Sequence, residues 1–204
     1  MISLYSGTPG SGKSLHMAMR LYWWIKSGKP CICNFDLNLS TIKGHKDKHF
    51  NFVPNDKLTP QYLIDYANNL IKTKGKVKEG SILLVIDEAQ LLFNARDWGH
   101  RDRADWLSFY TLHRHLGYDI VLIAQFDRML DRQIRSLIEY EYIHRKVSNY
   151  GWKGKIFSAV ALGKLFVCVK VWYPMQEKVG SEFYRAKRKY YRIYDSYAVF
   201  DGKE

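Results

Sequence analysis

The octapeptide GTPGSGKS, residues 7–14, constrains the fold of this chain more than any other stretch. It fits the pattern G-x-x-x-x-G-K-[S/T] of a phosphate-binding loop. The apolar run ISLYS precedes it, and a segment with apolar residues at helical spacing follows it as far as about Ser27. A glycine-rich turn between a buried strand and a helix binds phosphate through backbone N–H groups and the positive helix end. The chain is therefore predicted to begin with a nucleotide-binding strand–loop–helix unit.

The residues of this loop have distinct predicted roles. The Lys13 ammonium is expected to reach the β- and γ-phosphates of ATP, and the Ser14 hydroxyl to bind Mg²⁺. Glycine lets the backbone N–H groups turn inward, and Gly12 permits a close approach to the phosphates. The predicted nucleotide-binding residues are Gly7, Thr8, Pro9, Gly10, Ser11, Gly12, Lys13, Ser14 and Leu15.

A second part of the site is predicted in the segment ILLVIDEAQ, where Asp87 directly follows a five-residue apolar strand. Asp87 is placed to hold the Mg²⁺ shell, and Glu88 to polarise a water molecule for attack on the γ-phosphate. The alternative is that the two acids only cap the next helix. An acidic pair at this position favours a hydrolysing, motor-type ATPase over a GTPase switch or a small-molecule kinase.

Further candidates follow the apolar strand YDIVLIA. The Gln125 amide, at the end of this strand, would sense the γ-phosphate or orient the water; the alternative is an ordinary polar residue at a strand end. Arg128, Arg132 and Arg135 are spaced like one helical face, which makes them candidates for an arginine finger, although for any single one of them a surface salt bridge is the better explanation. The predicted catalytic residues are Lys13, Glu88, Gln125 and Arg135.

The order of elements predicts the fold class. Strand-like and helix-like segments alternate through residue 138, which indicates an α/β protein with a mostly parallel sheet. From about Glu139 the segments are β-rich and separated by short turns, which predicts antiparallel hairpins. We therefore predict a P-loop NTPase core over residues 1–145 and a β-rich basic extension over residues 146–204, packed on the core. Predicted helices are 13–27, 59–74, 103–117 and 127–138; predicted strands include 2–6, 31–35, 49–53, 81–90 and 118–126.

Composition excludes some classes of protein and favours others. The longest apolar runs are far shorter than the about 20 residues of a membrane-spanning helix, and the N-terminus does not resemble a secretory signal. These features predict a cytoplasmic location. Cys31, Cys33 and Cys168 have neither metal-binding spacing nor an even disulfide framework, which predicts buried thiols in a reducing compartment.

The formal net charge of +12 is concentrated toward the C-terminus, since residues 151–204 hold 11 lysines and arginines against 5 acidic residues. Such a surface favours nucleic acid or anionic lipid, although a basic soluble protein needs neither. In YRAKRKYYRIY the alternation predicts a strand with Arg185, Lys187 and Lys189 on one face. That face would protect a sheet edge by its charge or contact lipid headgroups, and the sequence leaves both open.

Taken together, several segments resemble the N-terminal domain of the zonular occludens toxin family, which includes the assembly (gene I) proteins of filamentous bacteriophages. The segments are GTPGSGKS, CNFDL, VIDEAQLLFNARDW, LHRHLGYDIVLIAQ and DRQIRSLIEYEY, and YRIYDSYAVF resembles the stretch before the membrane anchor of family members. The resemblance covers nearly the whole chain. It implies an additional-strand P-loop ATPase, with the strand that ends at Gln125 between the phosphate-loop strand and the Asp87 strand.

The resemblance also implies partners and a location. It implies ATP-driven virion assembly and extrusion by a homo-oligomer at the cytoplasmic face of the inner membrane, with phage coat protein and a single-stranded DNA–protein complex as partners. Attachment to the membrane would need an anchor outside this chain. Alternatives are a DNA-translocating or packaging ATPase, a non-hydrolysing nucleotide-gated interaction module or toxin domain, and a small-molecule kinase, for which no arginine-rich lid segment is found.

Overall fold

The computed structural model describes residues 1–42, 44, 49–96, 102–152, 154, 156 and 164–194. Within these ranges the strands are β1 (Ile2–Ser6), β2 (Cys31–Cys33), β3 (Phe50–Phe52), β4 (Ile82–Ile86), β5 (Tyr118–Ile123), β6 (Tyr140–Lys146), β7 (Leu165–Trp172) and β8 (Glu177–Arg185). The helices are α1 (Lys13–Lys26), α2 (Pro60–Lys74), α3 (Arg103–Leu112), α4 (Arg132–Ser136) and α5 (Arg188–Tyr191).

The described strands form one sheet in the order β3-β2-β4-β5-β1-β6-β7-β8. Neighbouring strands are parallel from β3 to β6, and β7 and β8 are added antiparallel. The predicted α/β class, with a mostly parallel sheet and an antiparallel C-terminal part, is confirmed. The predicted position of the strand before Gln125 is also confirmed, because β5 lies between β1 and β4.

Every residue of the central strands β1, β2, β4 and β5 is buried. Strands covered on both faces read as continuous apolar runs, which explains the run ILLVI of β4. On one face α1 packs through Met17 and Leu21, and on the other face α2 and α3 pack through Leu63 and Phe109.

The start of α2 follows its sequence signals closely. The Thr59 hydroxyl accepts a hydrogen bond from the Tyr62 N–H at 3.2 Å, and Pro60 occupies the first turn. Proline suits this turn because its missing N–H has no partner there in any case. The helix predicted over 103–117 begins at Arg103 but ends at Leu112, five residues before Gly117.

For the C-terminal part, one expectation is confirmed and one needs correction. β6 pairs antiparallel with β7 from Tyr140 onward, as predicted from about Glu139, and on its other edge it is parallel to β1, with Leu4 opposite Glu141. The predicted strand over 184–194 ends at Arg185, where the edge strand β8 ends, and Arg188–Tyr191 form a single helical turn. Tyr190 is buried there and its ring contacts Tyr22 edge-on at 5.6 Å. The strand expected in KIFSAVAL falls almost wholly outside the described residues, and the division at residue 146 stays a prediction.

Candidate functional site

The phosphate loop connects β1 to α1 at the carboxyl end of the sheet, as predicted. Its backbone is anchored to the neighbouring strand, since the Gly7 N–H donates to the Gln125 carbonyl at 3.0 Å. The Ser11 N–H donates to the Thr8 carbonyl at 3.1 Å and closes a tight turn. The Ser11 hydroxyl is buried and has no hydrogen-bond partner within the described structure. A buried polar atom without a partner is costly, and a bound anion or its water would supply one.

Lys13 is the first residue of α1, and its side chain folds back over the loop. Its Nζ donates to the Gly7 carbonyl at 2.6 Å and lies 3.4 Å from the Thr8 carbonyl. Burial lowers the pKa of Lys13, and the carboxylates of Asp87 and Glu88 oppose that shift. The ammonium is therefore held against the loop within electrostatic reach of both acidic residues.

The backbone of Asp87 is clamped by Asn34, which directly follows β2. The Asn34 side chain accepts from the Asp87 N–H at 2.7 Å and donates to the Asp87 carbonyl at 2.8 Å. It also donates to Asn55 at 2.8 Å. The sequence analysis assigned Asn34 no role. Its position as a polar residue at the end of a buried strand, like that of Gln125, could have indicated one.

Both oxygens of the Asp87 carboxylate have protein donors. Oδ1 accepts from the Glu88 N–H at 2.8 Å, and Oδ2 accepts from the Tyr194 hydroxyl. Burial raises the pKa of Asp87, while the Tyr194 hydrogen bond and the Lys13 charge act in the opposite direction. The ring of Tyr194 contacts that of Phe35 at a tilt of 42°, with ring centroids 4.2 Å apart. The last described residue of the chain therefore covers the predicted Mg²⁺ ligand.

Glu88 has an unusual backbone conformation. Its φ of 47° and ψ of 48° are left-handed, and its carboxylate accepts a hydrogen bond from the Gln90 amide. A left-handed residue other than glycine costs roughly 1–2 kcal/mol. Such strain concentrates at functional sites, where the surrounding structure holds it in place. Glu88 does precede a short 3₁₀ turn, but its side chain makes no capping hydrogen bond to that turn.

Two cavities flank the phosphate loop. The larger, about 1030 Å³, is lined by residues 10–15 of the loop and α1. Lys146, Lys164 and Arg192 also line it, and Asp36 is the acidic residue among its described lining. Together with Lys13 these side chains give the cavity a positively charged lining, which suits an anion such as a triphosphate. The sequence did not predict these three cations at the site, because they come from distant parts of the chain.

The smaller cavity, about 410 Å³, lies on the other side of the loop and contains Gly7, Thr8 and Gln125. Gln125 is thus brought beside the loop, as its predicted role requires. Arg135 lines neither cavity; its guanidinium acts electrostatically on Tyr173, whose hydroxyl donates to Asp127 at 2.8 Å. Pro9 is exposed on the loop. The structure therefore groups the loop, Asp87, Glu88 and Gln125 together, and leaves Arg135 apart.

These residues fit ATP and Mg²⁺. The loop offers the unpaired Ser11 hydroxyl and the Lys13 ammonium to phosphate oxygens. The donors available to a hard divalent cation are the oxygens of Ser14 and Asp87, the atom type that Mg²⁺ prefers.

A phosphate loop after β1, an acidic pair after β4, and β5 inserted between these strands define an additional-strand P-loop NTPase fold. Known structures support this class. The N-terminal domain of zonular occludens toxin from Neisseria meningitidis matches 95% of this chain and 98% of its own length, with a TM-score of 0.55 and 21% identity. The genome packaging NTPase B204 from Sulfolobus turreted icosahedral virus 2, in complex with ATP-gammaS, matches 92% of this chain and 97% of its own length, with a TM-score of 0.53 and 15% identity.

The family model for zonular occludens toxin (Zot) matches residues 1–200, so the chain belongs to the Zot family. Among curated proteins, the Gene 1 protein of Escherichia phage If1 is 27% identical over 172 residues, which is 80% of this chain and 47% of that protein. The chain thus spans about half the length of this relative. The family predicted from the sequence is confirmed. In the described part of the chain, no helix combines the length and apolarity that crossing a membrane would take.

Proposed function

We propose that this chain is the ATP-hydrolysing domain of a motor for filamentous phage assembly and extrusion. The observation that carries the proposal is the Lys13 ammonium, held on the loop within electrostatic reach of both Asp87 and Glu88. Membership of the Zot family and similarity to a phage Gene 1 protein connect this site to virion assembly.

The proposed mechanism gives each residue one task. The loop N–H groups and Lys13 bind and orient the phosphates, and Glu88 accepts a proton from the attacking water. Gln125 positions that water from the neighbouring strand. Mg²⁺, when held by Ser14 and Asp87, neutralises charge on the phosphates. Phosphoryl transfer needs little beyond such positioning and charge compensation. Arg135 lines neither loop cavity, and as an arginine finger it would serve a neighbouring subunit.

The proposed partners follow from the same relationship. We expect a homo-oligomer at the cytoplasmic face of the inner membrane that acts on coat protein and a single-stranded DNA–protein complex. A DNA-translocating or packaging ATPase is the second candidate, favoured by the cations Lys146, Lys164 and Arg192 beside the loop. It differs from the first in a measurable way, because DNA would then stimulate hydrolysis, with an affinity that falls steeply as salt rises.

The test is ATP hydrolysis by the purified chain across protein concentration, with and without single-stranded DNA. Lys13→Ala should lose ATP binding. Glu88→Gln should bind ATP but lose hydrolysis about 10²–10⁴-fold, the range of a positioned general base. Exposed residues of the same types supply matched controls, Lys72→Ala and Glu79→Gln, which should behave like wild type.

The outcomes separate the candidates. Specific activity that rises with protein concentration supports a site shared between subunits. If the chain binds ATP but hydrolyses none under any condition, the motor proposal fails and a nucleotide-gated module remains. Hydrolysis that survives Glu88→Gln would remove that residue from its proposed role.

A further inference from the structure

A cluster of three metal-ligating side chains lies behind the phosphate loop, and one of them, His144, also lines the smaller loop cavity. His16 comes from α1, His144 from β6 and Cys168 from β7. His144 and Cys168 are directly opposite each other in the antiparallel β6–β7 pair, so their side chains share one face of the sheet. α1 packs on that face, which brings His16 to the same point. The ligating nitrogen and sulfur atoms all lie within 4.8 Å of one another.

Hydrogen bonding fixes the orientation of His144. Its Nδ1 lies 3.1 Å from the Ser6 carbonyl, which can only accept, so the proton is on Nδ1 and Nε2 carries a lone pair. This Nε2 lies 2.8 Å from His16 Nδ1. A carbonyl bonded to the far nitrogen is the arrangement that typically orients a metal-ligating histidine.

The surroundings of the cluster are largely aromatic and buried. The ring of Tyr5 lies 5.1 Å from His16 and 4.9 Å from His144 between centroids, and Tyr184 lies 5.0 Å from His16. Glu182 pairs with Cys168 across β7 and β8, so a carboxylate is adjacent to the thiol. Rigid strands and packed rings hold the three ligands in place. The negative charge of Glu182 acts on the thiol, and the positive charges of Arg20 and Lys13 act on His16 and His144.

We propose that His16, His144 and Cys168 form a binding site for a divalent transition-metal ion, Zn²⁺ above all. Two imidazoles and a thiolate are the ligands that Zn²⁺ selects, whereas Mg²⁺ and Ca²⁺ take oxygen ligands. Tetrahedral Zn²⁺ with ordinary bond lengths places its nitrogen ligands about 3.3 Å apart, and nitrogen and sulfur about 3.6 Å apart. The observed separations, 2.8 Å between His16 Nδ1 and His144 Nε2 and at most 4.8 Å among the three ligating atoms, bracket these values.

Proton transfers accompany binding. The Cys168 thiol releases its proton to solvent and binds as thiolate. The His16 proton, which is on Nδ1 when that atom donates to His144, moves to Nε2 by exchange with solvent. A water molecule completes the coordination of the ion. The ion would join α1, which begins with Lys13 and Ser14, to strands β6 and β7. The site would be structural and would hold the phosphate-loop helix on the C-terminal part of the sheet.

The test uses the untagged chain, purified without chelator and assayed with excess Mg²⁺ and ATP to occupy the nucleotide site. We expect one zinc ion per chain by elemental analysis. We also expect Co²⁺ to produce the thiolate-to-metal charge-transfer absorption, which oxygen ligands cannot give. Cys168→Ser should abolish this band. Cys168→Ser and His144→Gln should each lower the affinity for the metal at least about tenfold, because loss of even an indirect contact to a metal has an effect of that size.

Buried residues of the same types supply controls. Cys33→Ser and His113→Gln remove a buried thiol and a buried imidazole outside the cluster, and both should keep the metal and the band. Circular dichroism checks that each variant is folded. Wild-type protein that binds neither Zn²⁺ nor Co²⁺ overturns the proposal whatever the variants do, as does a charge-transfer band that survives in folded Cys168→Ser. These results are independent of whether the chain hydrolyses ATP.

Discussion

The two glycines Gly10 and Gly12 of the phosphate loop permit a matched test of how the loop is packed. Both are left-handed, with φ of 73° and 98°. A methyl group at Gly10 would have nothing within 4 Å of it. At Gly12 it would lie 2.6 Å from Cδ1 of Phe166 and 2.8 Å from the hydroxyl of Tyr184, residues of β7 and β8. Gly12→Ala should therefore destabilise the fold much more than Gly10→Ala.

The expected loss in the free energy of unfolding has two parts. The left-handed conformation costs each alanine roughly 1–2 kcal/mol. The overlap at Gly12 adds about 1–3 kcal/mol, as overpacking does elsewhere in protein cores. We thus expect a loss of about 1–2 kcal/mol for Gly10→Ala and about 2–5 kcal/mol for Gly12→Ala. The Tyr184 hydroxyl donates to the Gly12 carbonyl at 3.0 Å, so any shift that relieves the overlap also weakens this hydrogen bond.

Equilibrium urea unfolding, followed by tryptophan fluorescence, measures the difference. The comparison is valid if both variants unfold with the same dependence on urea, since a changed slope would mean a changed unfolded state. Equal losses for the two variants would refute the reasoning. They would mean that β7 and β8 do not pack on the phosphate loop as described.

Two further predictions concern contacts between distant parts of the chain. Tyr194→Phe removes the hydroxyl that is hydrogen-bonded to Asp87, a charge-assisted bond worth about 1.5–3 kcal/mol. Because this hydroxyl would compete with Mg²⁺ for the carboxylate, Mg²⁺-dependent nucleotide binding should tighten about tenfold or more in the variant. Unchanged or weaker binding would contradict this. For Glu139, burial is the largest single influence and would raise the pKa, but the hydrogen bonds from Arg114 and the Ile2 N–H, with the charges of Arg114 and the N-terminus, together outweigh it and lower the pKa. The stabilisation of the fold by the ionised Glu139 carboxylate is therefore complete above the ordinary glutamate pKa of 4.5, and it disappears as pH falls through the lowered pKa. Glu139→Gln should cost up to about 1 kcal/mol at pH 7 and nothing in strong acid; a cost independent of pH in urea titrations would rule this out.

The prediction of β6 shows why strand direction is hard to obtain from sequence. A β-rich segment with short turns predicts antiparallel pairing from Glu139, and β6 does pair antiparallel with β7, but its parallel pairing with β1 was not predicted. Yet β6 is reached from β5 through the turn of α4, and a connection that crosses the sheet in this way returns the chain parallel to β1. Direction is a property of the path between strands, and the residues of a strand do not encode it. Similarly, the alternation in residues 184–194 suggested a strand, but Tyr190 and Tyr194 are buried against Tyr22 and Phe35 in a helical turn and the segment after it.

What the sequence alone determined is local or repetitive. Residues 7–14 specify the phosphate loop because its chemistry depends on consecutive backbone groups. Apolar runs ending in Asp87 and Gln125 indicate neighbouring strand ends, because a buried parallel sheet requires continuous apolar strands. Only the tertiary structure decided which distant side chains meet: Asn34 with Asp87, Tyr194 with Asp87, and His16 with His144 and Cys168. The separations along the chain are 53 residues for Asn34 and Asp87, 107 for Tyr194 and Asp87, and 128 for His16 and His144, and such pairs form only after the strand order has been established.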